Sequence, residues 1–300
     1  MSEAPPTRGR PGRELAYPQS RFERLAGVEV HHEIHGDADE PAVLLSHHFY
    51  GSTRTWRHVA HDLAEDHLVT AFDRPGFGLT ERPPRRRWGS QHPYTRATAA
   101  SIGWELLDHL GAETATLVGS SAGGTNALEM YAQKPDRVRA LILLSPAITG
   151  DVGAPTNLRP VLRAPGLRQL GTAAARRLVG AVDVERVSRS WYDPARATAA
   201  DAEPYQRMLQ VDRWDQGLWE LISAEPPPDL RSLLPEIRVP TLVVSGDHDR
   251  IIAVDWTRRT AAAIPGSRFE LIEDCGHTPQ EERPGELLRI VRSFLADLSG

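Results

Sequence analysis

Short apolar runs and longer amphipathic stretches alternate along this chain, which is the pattern of a parallel sheet with crossover helices. Arg21–Leu25 and Val28–His35 flank Ala26-Gly27 and predict a hairpin at a sheet edge. Ala42–Ser46 is a continuous apolar run, suited to a strand buried on both faces. Thr55–Ala64 predicts a helix, His67–Phe72 a strand, and Thr95–Leu110 a helix stopped at Gly111. Ala115–Val118 predicts a strand, Ala122–Gln133 a helix ended before Pro135, and Arg139–Leu144 a further strand.

The rhythm then changes. From Ala147 to Pro235 no strand-like run appears; Ala/Arg/Leu helical patterns dominate, with Trp191, Trp214 and Trp219 among them. The strand pattern resumes at Val239–Ser245, followed by a helix near Asp255–Ala263, a strand at Arg268–Ile272 and a last helix at Glu281–Leu298. This divides the chain into a disordered tail over 1–20, a discontinuous α/β core over 21–146 and 236–300, and a helical cap over 147–235. The tail is expected from its Pro, Gly and Arg content and its lack of an apolar stretch.

Composition narrows the function classes. The 300 residues carry 35 basic and 40 acidic side chains, a net charge of −5, which gives no reason to expect nucleic-acid binding. Cys275 is the sole cysteine, excluding intrachain disulfides and CxxC redox or zinc motifs. No run approaches the length of a membrane span and the N-terminus is not a secretory signal, so a cytoplasmic protein without membrane contact is expected. His47 and His48 stand near Asp73 in the predicted order, but adjacent side chains at a strand end diverge and no spaced ligand motif accompanies them, so no metal is expected. The arginine run Arg85–Arg87, with Arg82, is expected to be a solvated loop face, and Cys275 a small buried filler.

The chemistry concentrates at strand ends. The strand Ala115–Val118 runs into Gly119-Ser120-Ser121-Ala122-Gly123 and then a helix, which is Gly-x-Ser-x-Gly in the setting its mechanism requires. The glycines remove Cβ atoms where helix and strands meet, and the turn lifts the Ser121 hydroxyl towards a helix N-terminus. A serine needs a base, and the base an orienting acid. His277, in the loop after Arg268–Ile272, is the candidate base. Asp249, after Val239–Ser245, is the candidate acid, with Asp247 and Asp274 as rivals. Both loops leave the carboxyl ends of strands, where open α/β sheets hold ligands. Two amide donors are needed for a developing oxyanion: Ala122, and Phe49 in the loop His47-His48-Phe49-Tyr50-Gly51-Ser52.

These motifs stand in family order. With Asp73-Arg74-Pro75-Gly76-Phe77-Gly78 and ALEMYAQKPDRVRALILLSPA, the chain from Phe22 to Phe294 resembles the α/β-hydrolase-fold serine hydrolases. The resemblance implies an α/β-hydrolase fold: an eight-stranded, mostly parallel sheet with helices on both faces and a helical cap inserted after the sixth strand. It implies no metal or organic cofactor. Two departures mark this chain: His48 stands where the family usually has glycine, and Ser120 where it often has His or Asn before the nucleophile. A serine nucleophile argues against opening alkyl halides or epoxides through an aspartyl ester.

The expected activity is cleavage of a carboxylic ester or related acyl compound through an acyl-Ser121 intermediate. Alternatives are C–C hydrolysis of a diketone-type substrate, a non-hydrolytic biosynthetic cyclisation motivated by His48, and a non-catalytic ligand receptor. The partner is a small-molecule substrate, and a homo-oligomer remains open. His48, Tyr50, Ser120, Trp191, Tyr192, Met208, Trp214 and Trp219 are the candidate substrate contacts, set against packing of the cap on itself.

Overall fold

A computed structural model describes residues 9–89, 92–148, 167–224 and 229–298. Its strands are β1 (Arg21–Leu25), β2 (Val28–His35), β3 (Ala42–Ser46), β4 (Leu68–Phe72), β5 (Ala115–Ser120), β6 (Val138–Leu144), β7 (Thr241–Gly246) and β8 (Arg268–Ile272); aliphatic runs make the central ones, whereas β1, β2 and β8 mix apolar with polar and charged residues. They make one eight-stranded sheet in the order β1-β2-β4-β3-β5-β6-β7-β8. β2 pairs antiparallel with β1 and β4; all other pairings are parallel. Every residue of β3, β4, β5 and β7 is buried, as continuous apolar runs between two helical layers should be.

The helices are α1 (Ala60–Leu63), α2 (Arg96–His109), α3 (Ala122–Gln133), α4 (Leu167–Val179), α5 (Val184–Ser188), α6 (Ala199–Met208), α7 (Trp214–Ser223), α8 (Val254–Ala263), α9 (Pro279–Glu282) and α10 (Pro284–Asp297). One face of the sheet buries Leu44, Phe72, Leu117 and Leu143 with α2 and α3 residues such as Ile102, Leu106 and Leu128. The other buries Val43, Val69, Val118, Ile142 and Val244 with Ile290, Val291 and Phe294 of α10. Between β6 and β7 the described residues hold α4 to α7 and short 3-10 turns, with no strand. Of the expected cap range, residues 149–166 and 225–228 lie outside the described residues.

Three expectations change. Thr55–Ala64 is not one helix: a 3-10 turn at Thr53–Trp56, capped by Ser52, precedes the separate α1. Glu281–Leu298 starts earlier and breaks, because Pro279 and Pro284 each open a helix of their own.

The tail is corrected from Gly9 onward, residues 1–8 lying outside the described residues. Arg10 pairs with Val211 as a backbone bridge, and the Gly12 backbone lies so close to the Leu79 carbonyl that a Cβ would sit 1.9 Å from it. Leu15 packs with Leu79 and Val211, and the Tyr17 hydroxyl donates to Glu203 at 3.0 Å. This strap ties α6 and the segment after it to the core. Composition hid it because its few anchors meet partners remote in sequence.

Candidate active site

β5 delivers Ser121 at the head of α3 with φ 51° and ψ −116°, a strained positive-φ conformation that a side chain adopts only when its surroundings hold it there. The surroundings do so. The Ser121 amide donates to the Leu144 carbonyl at 2.8 Å, and the Ser121 carbonyl accepts from Ala147 at 3.1 Å. Glycine is required on both sides: a Cβ at Gly119 would lie 2.3 Å from the Gly123 carbonyl oxygen, and one at Gly123 only 1.9 Å from that of Ser46. Ala122 is the first residue of α3, and first-turn amides have no carbonyl partner within their helix.

Two loops bring the acid and the imidazole to the same end of the sheet. Asp249 follows β7 and is buried. Its Oδ1 accepts from the Ile251 and Ile252 amides at 2.8 and 2.9 Å, and its Oδ2 faces His277 Nδ1 at 2.8 Å. Burial works to raise this carboxyl, but the hydrogen bond and charge of His277 and the Ile252 amide outweigh it and hold it below the usual range. The acid is therefore ionised and can only accept, so His277 Nδ1 carries the proton of this bond and the ring's orientation is fixed by it. The rivals point elsewhere: Asp247 accepts from the Cys275 amide and faces His248, and Asp274 is exposed beside Arg283. The His277 amide donates to the Ser190 carbonyl at 2.8 Å. Gln280, three residues on, donates to the Ser120 hydroxyl at 3.2 Å, laying the His277 loop on the serine turn.

The loop after β3 is fastened from beneath. Buried His47 donates through Nδ1 to the His48 carbonyl at 2.7 Å, and its Nε2 accepts from the Arg74 amide at 3.1 Å. The Arg74 guanidinium reaches the carbonyls of His47 at 2.7 Å, His48 at 3.1 Å and Ala122 at 3.4 Å. Burial, with the charge of Arg96, brings Arg74 down to about 9. One cation thus joins the Phe49 loop to the start of α3. Among the described residues no group of three or more His, Cys, Asp or Glu side chains is arranged to hold a metal ion.

The remaining sequence candidates divide. His48 and Tyr50 stand on the loop after β3, and buried Ser120 ends β5 just before the serine turn. The Tyr50 ring stacks on Tyr205 of α6 at 6.2 Å, and burial raises its hydroxyl. Trp191 is buried against Gly276, the neighbour of His277. Met208 is buried at the end of α6. Tyr192 lies instead at the surface, its ring 4.4 Å from that of His248. Trp219 packs on Gly171, helix against helix inside the insertion. Trp214 opens α7, half-buried, and is not tied to the catalytic loops by any described contact.

Sequence reasoning missed several residues. Glu282 accepts from the amides of Gly276 (2.7 Å), Tyr192 (2.8 Å) and Asp193 (3.1 Å), stitching the His277 loop to the insertion. The only signal was a carboxylate pair just after Pro279. Arg82, expected to be solvated, is buried; burial lowers it to about 10. Arg85 is held by Glu220 of α7 at 2.8 and 2.9 Å, and Arg87 by Glu81. Cys275 is fully buried, and burial pushes its thiol up, as expected for a filler.

A family model described as alpha/beta hydrolase fold matches residues 41–284. The 2-hydroxy-6-oxo-2,4-heptadienoate hydrolase of Pseudomonas putida is 30% identical over 286 residues, spanning 92% of this chain and 96% of that protein. A thermophilic esterase from Thermogutta terrifontis superposes with a TM-score of 0.70 at 25% identity, over 93% of this chain and 99% of the other. An enol-lactonase from Burkholderia xenovorans does so with a TM-score of 0.68 at 26% identity, over 92% and 100%. Among the described residues no helix is long and apolar enough to cross a membrane.

Proposed function

The chain belongs to the alpha/beta hydrolase fold family, and from that premise we propose that it is a serine hydrolase that cleaves a carboxylic ester or lactone through an acyl-Ser121 intermediate. The observation that carries this reading is the buried Asp249–His277 pair at 2.8 Å, on a loop that Gln280 ties to Ser120 at 3.2 Å, next in sequence to a serine held at positive φ on a strand-turn-helix elbow. Ser121 Oγ attacks the acyl carbon and its proton passes to His277 Nε2, while the carbonyl electron pair moves to oxygen. The amides of Phe49 and Ala122 receive that oxyanion. Collapse breaks the bond to the leaving alcohol, which takes the proton from His277. Water then repeats the sequence on the acyl-enzyme and frees the acid. Asp249 keeps the imidazole tautomer fixed throughout.

A relative named as a hydrolase of an oxo-dienoate, similar over nearly the whole chain, supports a second reading: cleavage of a C–C bond beside a ketone with the same three residues. A panel of short acyl esters, lactones and vinylogous diketones separates the two by which class turns over. A fluorophosphonate probe tests the nucleophile: one label per chain, at Ser121, is expected in wild type and none in Ser121→Ala. The variant should lose activity to the residual ~10³–10⁴-fold over water that triad enzymes keep without their triad. Labelling elsewhere, or turnover unchanged in Ser121→Ala, overturns the proposal.

A further inference from the structure

The loop that carries the Phe49 amide is also held from above, by a buried ring of polar side chains for which the acyl chemistry has no direct use. His48 Nδ1 lies 2.9 Å from the Phe49 carbonyl oxygen, an acceptor, so that nitrogen donates. His48 Nε2 lies 3.2 Å from the Tyr205 hydroxyl, 3.4 Å from Glu281 Oε2 and 3.4 Å from Thr55 Oγ1. The Tyr205 hydroxyl donates its one proton to Glu281 Oε2, at 3.3 Å, and so faces His48 Nε2 as an acceptor. Glu281 Oε1 accepts from Arg57 at 3.1 Å, and Arg57 pairs in turn with Asp201. All of these groups are buried or nearly so, and they come from four places: the loop after β3, the turn at Thr53–Arg57, α9 and α6.

Both peptide units around Phe49 are thereby fixed. The unit containing the Phe49 amide presents its carbonyl, that of His48, to His47 and Arg74. A planar peptide points its N–H the opposite way. The next unit presents the Phe49 carbonyl to His48 Nδ1. A buried carboxylate such as Glu281 needs its partners, since removing one leaves charge uncompensated. Of the groups around His48 Nε2, Tyr205 alone belongs to the inserted helices, so the ring is complete only with α6 seated on the core.

Resting on the reading of Phe49 as an oxyanion donor, we infer that His48 is a positioning residue for the oxyanion hole, held by Glu281 and Tyr205, so that seating of α6 is a condition for acylation. The side chain that replaces the family's glycine is a strut, and the inserted helices act on the chemistry through it as well as by shaping a pocket.

The test compares wild type with His48→Ala, His48→Asn, Glu281→Gln and Tyr205→Phe. Two readouts are taken: kcat and KM on a short-chain p-nitrophenyl ester, and the second-order rate of fluorophosphonate labelling at Ser121. His48→Ala should lower kcat and the labelling rate by about 10- to 100-fold, the order of effect that small misplacement of a catalytic group produces, with KM within about threefold. His48→Asn, whose amide nitrogen can stand where Nδ1 stood, should recover a substantial part of that loss. Tyr205→Phe and Glu281→Gln keep the packing and should each lower kcat several-fold in the same direction. Wild-type rates in both of these conservative variants overturn the inference, even where His48→Ala folds poorly. So does a change confined to KM, which would mark His48 as a substrate contact, or an Asn variant no better than Ala. These results leave the acyl-serine reading standing, because wild type is then labelled at Ser121. Absence of that label in wild type removes both.

Discussion

Asp249 divides its two oxygens between unlike tasks, and that division makes it sensitive to the smallest substitution. Oδ1 takes two backbone amides, and Oδ2 takes His277 Nδ1. An asparagine has one accepting oxygen and one donating nitrogen. Its oxygen must stay with the two amides, so its NH₂ turns to His277 and forces Nδ1 to accept. The ring proton then sits on Nε2, where it blocks removal of the Ser121 proton. Asp249→Asn is therefore expected to fold normally and to lose about 10³- to 10⁴-fold in kcat, the loss that a wrong tautomer produces in serine hydrolases generally. Ester kinetics with a circular-dichroism control decide it; a loss below tenfold would place the orienting role on another group. Asp247→Asn, altering the rival carboxylate that faces away from His277, should leave kcat within about threefold if the assignment is right.

At the scale of elements, the serine turn works because strand, turn and helix approach without side chains between them. Gly123→Ala would drive a Cβ to 1.9 Å from the Ser46 carbonyl and 2.7 Å from that of His47, both backbone atoms that cannot swing aside. The expected cost is about 1–3 kcal/mol of stability, as for other overpacked sites, with activity falling because the loop after β3 and the head of α3 carry the two proposed oxyanion donors. Gly285→Ala is the matched control. It lies in α10 with nothing within 4 Å of the new Cβ, and should be neutral or stabilising by up to about 1 kcal/mol. Urea midpoints of the two variants should move in opposite directions, or only the first should move. The same scale explains what could be read from the chain. β1, β2, β3, α3 and β8 were legible to the residue because apolar runs and glycines bound them locally. β7 starts at Thr241 and not Val239 because Pro240 has no N–H to give to a ladder. The three residues proposed for catalysis were legible because each follows a strand within a few residues. Tyr205, Arg57, Glu281 and Glu282 were not, because their meaning arises only where the insertion meets the core, more than 70 residues apart between Tyr205 and Glu281.

Across the whole molecule, the buried titratable groups predict how stability responds to acid. His32 on β2 is buried, with Nδ1 unpartnered among the described residues; burial and the charge of His31 lower it from the ordinary 6.5 to about 4. His47 is held well below its usual value by burial and Arg74, and His58 is lowered by burial and Arg57. For such histidines the unfolded chain binds protons first, so stability is full above about pH 6.5 and declines as pH falls towards the folded value. Carboxylates follow at lower pH. Glu33, Asp201, Asp249 and Glu281 all lie below their ordinary values despite burial, which opposes the shift, because hydrogen bonds and neighbouring cations hold them ionised. Their contribution is present above about pH 4, the unfolded value, and is lost as pH falls through the folded ones. The melting temperature should therefore be level from pH 8 to about 6.5, decline in a first stage to about pH 4, and fall again below it. His32→Leu removes the His32 share of the first stage: in unfolding free energy, losing a shift of this size should reduce the decline by an amount on the order of 3 kcal/mol. Asp201 and Glu281 both pair with Arg57 and so join the insertion to the core. The second stage should accordingly begin with the inserted helices, visible as loss of Trp191 burial by fluorescence quenching before the sheet unfolds. A melting temperature unchanged between pH 6.5 and 4 would show that these histidines titrate alike in both states, and a His32→Leu profile parallel to wild type would show it for His32.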